Sequence, residues 1–397
     1  MDNHYGKTIT ACFTGYIVQA IVNNFVPLLF VTFSSTYGIP LSKITLLITV
    51  NFVVQLLVDV LSVTFVDRIG YRASMVMAHI MAALGLIFLI ILPGILPDAF
   101  AGLLISVVIY AVGGGLLEVL VSPVVEACPS DNKEKAMSLL HSFYCWGHVA
   151  VIAVSAVYFK IFGIGNWRFL AAAFSVIPIV NAVVFTKVPI APLIKEGEKG
   201  FSMKELFSRK IFWLLMIMMV CAGAGEQAVS QWASTFAEKG LGVSKTVGDI
   251  AGPMAFAVFM GCSRLFYGKF GERINLDIFM IISTCLCLLS YIIISLVPVP
   301  ALSLAGCALT GLSVGIMWPG TFSKASATLK RGGTAMFALL ALAGDVGCSS
   351  GPTVVGMVSS AFGDDLKKGI LAGIVFPAVM LLCLLVTSAL KTKRTEI

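Results

Sequence analysis

Apolar runs of about twenty residues recur from one end of this chain to the other, and that feature leaves few folds open. Each is long enough to cross a ~30 Å hydrocarbon core as a helix. One of them, Ala101–Leu117, holds no charged residue at all. Only 12% of the 397 residues are charged and 58% are hydrophobic, whereas a soluble domain carries about 25% charged residues. Too little polar surface is left to cover a water-soluble body. The chain therefore reads as an all-α membrane protein, with no room for a second, soluble domain.

Breaks of Pro, Gly and charge divide the runs into twelve predicted transmembrane helices. They cover 8–36, 43–66, 73–93, 99–127, 136–161, 168–187, 211–237, 246–268, 275–297, 300–323, 333–361 and 368–390. The polar start MDNHYGK lacks the pattern of a cleaved signal peptide, so the first span is expected to stay in the mature protein. The ten cysteines fall mostly within apolar runs without metal-ligand spacing, and are expected to be buried small residues. No metal or other cofactor is expected.

Between the sixth and seventh spans lies VPIAPLIKEGEKGFSMKELFSRK, a mixture of Pro, Gly and charge suited to a cytoplasmic linker. The expected organisation is a six-helix bundle over 1–187, the linker over 188–210 and a second bundle over 211–397. Most Lys and Arg then fall on one side, among them Arg68, Arg72, Lys133, Lys135, the linker cations, Arg264, Lys269 and Arg273. By the positive-inside rule this side is cytoplasmic and holds both termini, in a plasma (inner) membrane. The net charge of +7 is then topology and implies no nucleic-acid partner.

The two halves echo each other. VDRIGYR (66–72) lies over YGKFGER (267–273), placing Arg68 on Lys269, Gly70 on Gly271 and Arg72 on Arg273. Likewise Ala136-Met137 lies over Ala335-Met336. A duplicated six-helix unit is a transporter architecture with its site near the bilayer midplane. With the D-R-x-G-x-R pattern at Asp67, Arg68, Gly70 and Arg72, the whole chain resembles the major facilitator superfamily. The resemblance implies that these residues, with Lys269, Gly271 and Arg273, latch the cytoplasmic helix ends in the outward-facing state. Two positions depart from the family pattern: Val63 stands where a glycine is usual, and Gly268 stands where the first loop has Asp67.

Ionisable residues inside spans cost roughly 2.5–3.5 kcal/mol on insertion scales and mark function by default. The deep ones are Asp59, Glu118, Glu226, Asp345, His79, His141 and His148; Glu126, Arg264 and Lys324 lie nearer the cytoplasmic ends. In GGGLLEVLVSP, Glu118 shares a helix face with Ser122. A carboxyl in a dry site can load and release a proton near neutral pH. In the fifth span Ser138, His141, Tyr144 and His148 form a polar-aromatic stripe suited to a water-filled cavity, where His141 can relay protons or bind hydroxyls.

A fourth-span Glu before a polar-Pro step, followed by LLHSF, resembles the fucose/hexose–proton symporter branch of the superfamily. That resemblance implies a role for Glu118 in both proton coupling and sugar contact. Ser122 replaces the usual Asn, and the first span offers Asn23 and Asn24 but no acid.

In CAGAGEQAVSQWASTF, the residues Glu226, Gln227, Gln231 and Trp232 suit a polyhydroxylated ligand, as Gln227 and Gln231 share a face with Ser234. Gln19 and Asn23 form an i, i+4 amide pair, Asp345 has room among glycines, and Trp318-Pro319 reads as a kink beside a cavity. The expectation is a monomeric, proton-coupled importer of a small polar solute, a sugar or polyol, working by alternating access. Protons would be carried by Glu118, His141 and Asp345. The competing readings are a proton-antiporting exporter, a facilitative uniporter and, from another class, a membrane enzyme or a sensor that transports nothing. The chain has no H-E-x-x-H motif, catalytic triad order or phosphate-cradling loop, which argues against an enzyme.

Overall fold

The computed structural model describes residues 5–40, 43, 46–130, 132–193, 200–233, 236, 250–363 and 365–395. Eleven helical spans among them are long and apolar enough to cross a membrane. In chain order the main helices are α1 (Gly6–Asn24), α2 (Leu46–Ile69), α3 (Tyr71–Ile95), α4 (Ala99–Ala127), α5 (Lys133–Phe162) and α6 (Trp167–Lys187). They continue with α7 (Lys210–Ser230), α8 (Ala255–Phe270), α9 (Leu276–Leu296), α10 (Pro300–Val314, continued by Met317–Thr328), α11 (Gly333–Ala361) and α12 (Val375–Thr395). A π-helical turn at Ile250–Met254 leads into α8. Ser234, the end of the predicted seventh span and the start of the eighth lie outside the described residues.

The helices end where the sequence supplies a physical reason. Asp98 accepts from Phe100 N at 2.9 Å and so caps α4; Asn275 caps α9 through Ile278 N. Pro27 lies in a 3-10 turn, Val26–Leu29, that splits the predicted first span into α1 and a short helix, Phe30–Tyr37. Gly38, with φ of 64°, then closes that helix in the left-handed conformation. The tenth span breaks at Gly315–Ile316, earlier than the predicted kink at Trp318-Pro319. Pro319 falls instead in the first turn of Met317–Thr328, where a missing N–H costs least.

Two compact units result. The first contains Met1–Asp131, Phe143–Lys199 and Gly333–Ala338; the second contains Asn132–Ser142, Gly200–Gly332 and Leu339–Ile397. In the first, α4 packs on α1, α2 and α3. In the second, α10 packs on α8 and α9, and α12 on α7 and α9. Close approach rests on small residues, as membrane helix packing requires. A Cβ on Gly347 of α11 would lie 2.1 Å from Val220 O of α7, and one on Gly351 2.4 Å from Ala224 O.

Candidate functional site

The run Gly113–Gly115 explains how a carboxylate is housed in α4. Each glycine serves a different neighbour. A Cβ on Gly113 would meet Ala78 O of α3 at 2.5 Å. On Gly114 it would meet Val22 of α1 at 3.0 Å, and on Gly115 the Cα of Gln55 in α2 at 3.0 Å. Three helices thus close on α4 just ahead of Glu118. There Gln19 Nε2 of α1 donates to Glu118 Oε2 at 2.9 Å. One turn on, the Tyr16 hydroxyl pairs with the Ser122 hydroxyl at 2.9 Å. Glu118 and Ser122 do share a face, and α1 runs along it.

A second polar cluster adjoins on α1. The Asn23 Oδ1 accepts from Gln55 Nε2 at 2.7 Å and from Asn51 Nδ2 at 3.2 Å. Both lone pairs are filled, so the Asn23 amide is oriented with its NH₂ towards α5, where it meets the Tyr144 hydroxyl at 3.4 Å. A small cleft lined by Val22, Asn23, Val26, Pro27 and Asn51 opens beside it. All these groups belong to the first unit. Asn24 does not join them, because its amide turns back onto Ala20 O of its own helix at 2.9 Å.

His79 is a structural residue of the same unit. Asn181 Nδ2 of α6 donates to His79 Nε2 at 2.7 Å and to Ala11 O at 2.9 Å. The other ring nitrogen, Nδ1, then donates to Met75 O at 2.7 Å. This chain ties α1, α3 and α6 together.

The remaining residues expected to bind solute or carry protons, His141 and Asp345 among them, lie in the second unit. Glu226 of α7 pairs with Arg264 of α8 at 3.4 Å and accepts from Gln227 at 3.3 Å. Arg264 is 4% exposed and donates to Gly315 O at 2.9 Å and His141 O at 3.2 Å. It is therefore a buried group held by two helix carbonyls. The His141 ring packs on Phe322, which also meets Trp318. Trp318 lies over Gly344, where a Cβ would be 2.1 Å from the indole. Trp232 spends its N–H on Pro352 O at 3.0 Å and packs on Gly356, which makes it a tie to α11. Gln231 is exposed and Asp345 half-buried, with Ser349 Oγ donating to the Asp345 carbonyl at 3.0 Å.

The two repeated loops differ in chemistry. In the first unit Thr334 at the start of α11 donates to Asp67 Oδ1 and contacts the Tyr71 hydroxyl, each at 2.6 Å. Gly70 takes φ of 85° between α2 and α3, and Arg72 donates to Phe185 O at 2.8 Å. In the second unit Lys135 at the start of α5 pairs with Glu272 at 2.5 Å, and the Tyr267 hydroxyl donates to Glu134 at 3.0 Å. Gly271, at φ of −59°, has no such left-handed turn and is pressed instead on the Tyr267 ring. Gly268 stands in place of an acid because a Cβ there already lies 3.0–3.2 Å from the Leu139 backbone and Cβ. Arg68, Lys269 and Arg273 are exposed, and Lys269 lies over the Phe270 ring.

The family model of the Major Facilitator Superfamily matches residues 11–352, most of the chain. The chain belongs to this superfamily. Among solved structures it resembles the E. coli fucose:proton symporter FucP, with a TM-score of 0.80, 13% identity, and 96% of this chain and 98% of that one covered. FucP in the outward conformation gives a TM-score of 0.82 at 14% identity, covering 96% and 99%. The proton:xylose symporter XylE gives 0.77 at 11% identity, covering 96% and 94%. These likenesses fix the twelve-helix fold of an integral membrane protein. A curated relative, membrane protein MosC of Rhizobium meliloti, is 24% identical over 264 residues. The match spans 66% of this chain and 62% of that relative's length.

Within the superfamily fold, three side chains at these clusters, Tyr16, Asn51 and Gln55, escaped the sequence reading. Tyr16 lies one turn before Gln19. Asn51 and Gln55 form an i, i+4 amide pair in α2, with Asp59 one turn further. Reading that stripe as the α5 stripe was read would have found them. Arg264 was named as an ionisable residue near the cytoplasmic end of its span, but without partners; it lies a full turn inside Gly268.

Proposed function

We propose that this protein imports a small polyhydroxylated solute, a sugar or polyol, together with protons, by alternating access. The bodies that rock are the bundles 1–187 and 211–397, joined by the cytoplasmic linker 188–210. The setting is the plasma (inner) membrane, with both termini cytoplasmic and the monomer as the working form. The hydrogen bond between Gln19 and Glu118 is the observation that carries this reading. An ionised carboxylate only accepts, and a protonated one also donates, while a glutamine amide can serve either. The pair stays satisfied in both protonation states, which is what a reversible proton carrier needs inside a bilayer.

Asn23 and Tyr144 supply donors for solute hydroxyls beside it, with Gln19 and Ser122 in the same unit; Gln227, Gln231, Asp345 and Trp318 are the solute-binding residues we assign within the second unit. Thr334 on Asp67 and Tyr71, and Lys135 on Glu272, act as the cytoplasmic latch. Proton and solute each bias the equilibrium by their differential affinity for its two states. Fucose and xylose symport, named for the structural neighbours, supports sugars as the first class to test. The test is uptake of a labelled sugar panel into proteoliposomes with and without an inward proton gradient. Accumulation that follows the gradient supports symport; uptake indifferent to it overturns symport.

A further inference from the structure

We infer that the first unit carries a binding site for an anionic phospholipid on its outer face, where the ends of α2 and α6 meet the start of α3 around Arg72. Neither the transported solute nor the proton enters into it.

A cleft of about 660 Å³ opens there. Ala73, Val76, Met77 and Ile80 line it, and their spacing places them on one face of α3. Ser74, Met75, Ala78 and His79 look the other way and are buried in the bundle. Ile69 at the end of α2 and Thr186 near the end of α6 complete the walls. The Thr186 hydroxyl donates to Val183 O of its own helix at 2.7 Å. Apart from Arg72, no charged side chain lines the cleft. Ile69 and Ile80 are 47% and 45% exposed, so this wall is turned outward and not into the bundle.

Arg72 stands at the end of the wall, where α3 begins, and is itself exposed. Its Nη1 donates to Phe185 O at 2.8 Å, which ties the guanidinium to α6. A guanidinium offers five N–H donors in a planar fork, and this bond uses one of them. Arg68 and Lys187 flank the cleft in sequence, and both are exposed. The one acid on these helix ends is Asp67, whose Oδ1 accepts from Thr334. Three cations less one carboxylate leave a net charge of +2.

The combination selects the occupant. An outward apolar stripe in a membrane helix accepts an acyl chain, and exposed apolar area of this kind marks a contact surface. The guanidinium fork at its end matches a phosphate, which it can bind through two parallel bonds. The surplus of positive charge disfavours a headgroup that carries its own cation and favours one with a net negative charge. Clusters of Lys and Arg beside transmembrane helix ends attract such lipids. Phosphatidylglycerol is the simplest member of the class. A soluble phosphate ester would satisfy Arg72 and leave the apolar wall without a partner.

Purified full-length protein is titrated with phosphatidylglycerol, phosphatidylcholine or glycerol 3-phosphate, and bound lipid is measured by native mass spectrometry. The expected result is one phosphatidylglycerol held at least about fivefold more tightly than phosphatidylcholine, the ratio given by ~1 kcal/mol per basic residue. Glycerol 3-phosphate, which has the phosphate without the chains, should not displace it. Arg72→Gln keeps a donor for Phe185 O and loses the charge; it should weaken phosphatidylglycerol by about fivefold. Ala73→Trp keeps the charge and fills the cleft, and should weaken it at least as much. Ile91→Trp, at an exposed position of α3 outside the cleft, should change nothing. Equal affinity for the two lipids overturns the site, as does an unaltered preference in either Arg72→Gln or Ala73→Trp. Displacement by glycerol 3-phosphate overturns it too, since a site for free phosphate needs no apolar wall. The wild-type titrations decide the matter even where a variant fails to fold.

Discussion

Gln19 on α1 and Glu118 on α4 are joined at 2.9 Å, one turn from the 2.9 Å contact between Tyr16 and Ser122. The two contacts place the carboxyl against an amide that can accept or donate. Gln19→Ala should therefore lower kcat/KM for uptake by roughly 10- to 100-fold, corresponding to the ~1.5–3 kcal/mol of a hydrogen bond to a charged group. Initial-rate uptake measures this. Unchanged kinetics would show that the bond serves packing alone.

The glycines of α7 and α11 give opposite expectations. A Cβ on Gly347 would meet Val220 O at 2.1 Å, while nothing lies within 4 Å of the Cβ position on Gly225. Gly347→Ala should destabilise by about 1–3 kcal/mol through overpacking. Gly225→Ala should be neutral or gain about 0.5–1 kcal/mol of helix propensity. Thermal unfolding in detergent separates them, and equal shifts for both variants would contradict the close α7–α11 approach.

Asn181 and His79 form a buried hydrogen-bond chain to Ala11 O and Met75 O. Asn181→Leu should cost roughly 1–3 kcal/mol, because it strands a buried ring nitrogen and a carbonyl. Its signature is a lowered Tm with solute affinity retained in the surviving folded protein. An unchanged Tm would refute the structural role given to His79.

Lys135 holds the Glu272 carboxyl below its usual 4.5, first by hydrogen bonding and then by its charge. A carboxylate lowered in the folded state stabilises above its ordinary value, and that contribution is lost as pH falls through the lowered one. Wild type should thus unfold at a higher temperature than Glu272→Gln at pH 7, and the gap should shrink as pH falls below 4.5 and narrow in high salt. A gap that persists unchanged at acid pH would rule out the ion pair as its source.

The apolar runs made twelve spans legible, since length and the lack of charge suffice to define them. Glu118 and Ser122 were legible for a similar reason: a helix places residues four apart on one face. Partners across helices were not. Nothing in the spacing of Asn23 says that Gln55 will fill its carbonyl, and Asn24, its neighbour, turned to its own backbone instead. Arg264 was read only as a cation near the cytoplasmic end of its span. Its burial depends on carbonyls from His141 and Gly315, which are remote in sequence. Trp232 was taken for a ligand platform, yet the carbonyl of Pro352 occupies its N–H. The repeat loops matched at Arg68/Lys269, Gly70/Gly271 and Arg72/Arg273 while their contacts diverged, with hydroxyls at Thr334 and charges at Lys135.

Uptake into proteoliposomes carrying wild type or Glu118→Gln, with and without an inward proton gradient, tests the central claim most directly. The account predicts gradient-driven accumulation by wild type. For Glu118→Gln it predicts that accumulation is lost while exchange of solute across the membrane partly survives. Normal accumulation by Glu118→Gln would contradict it.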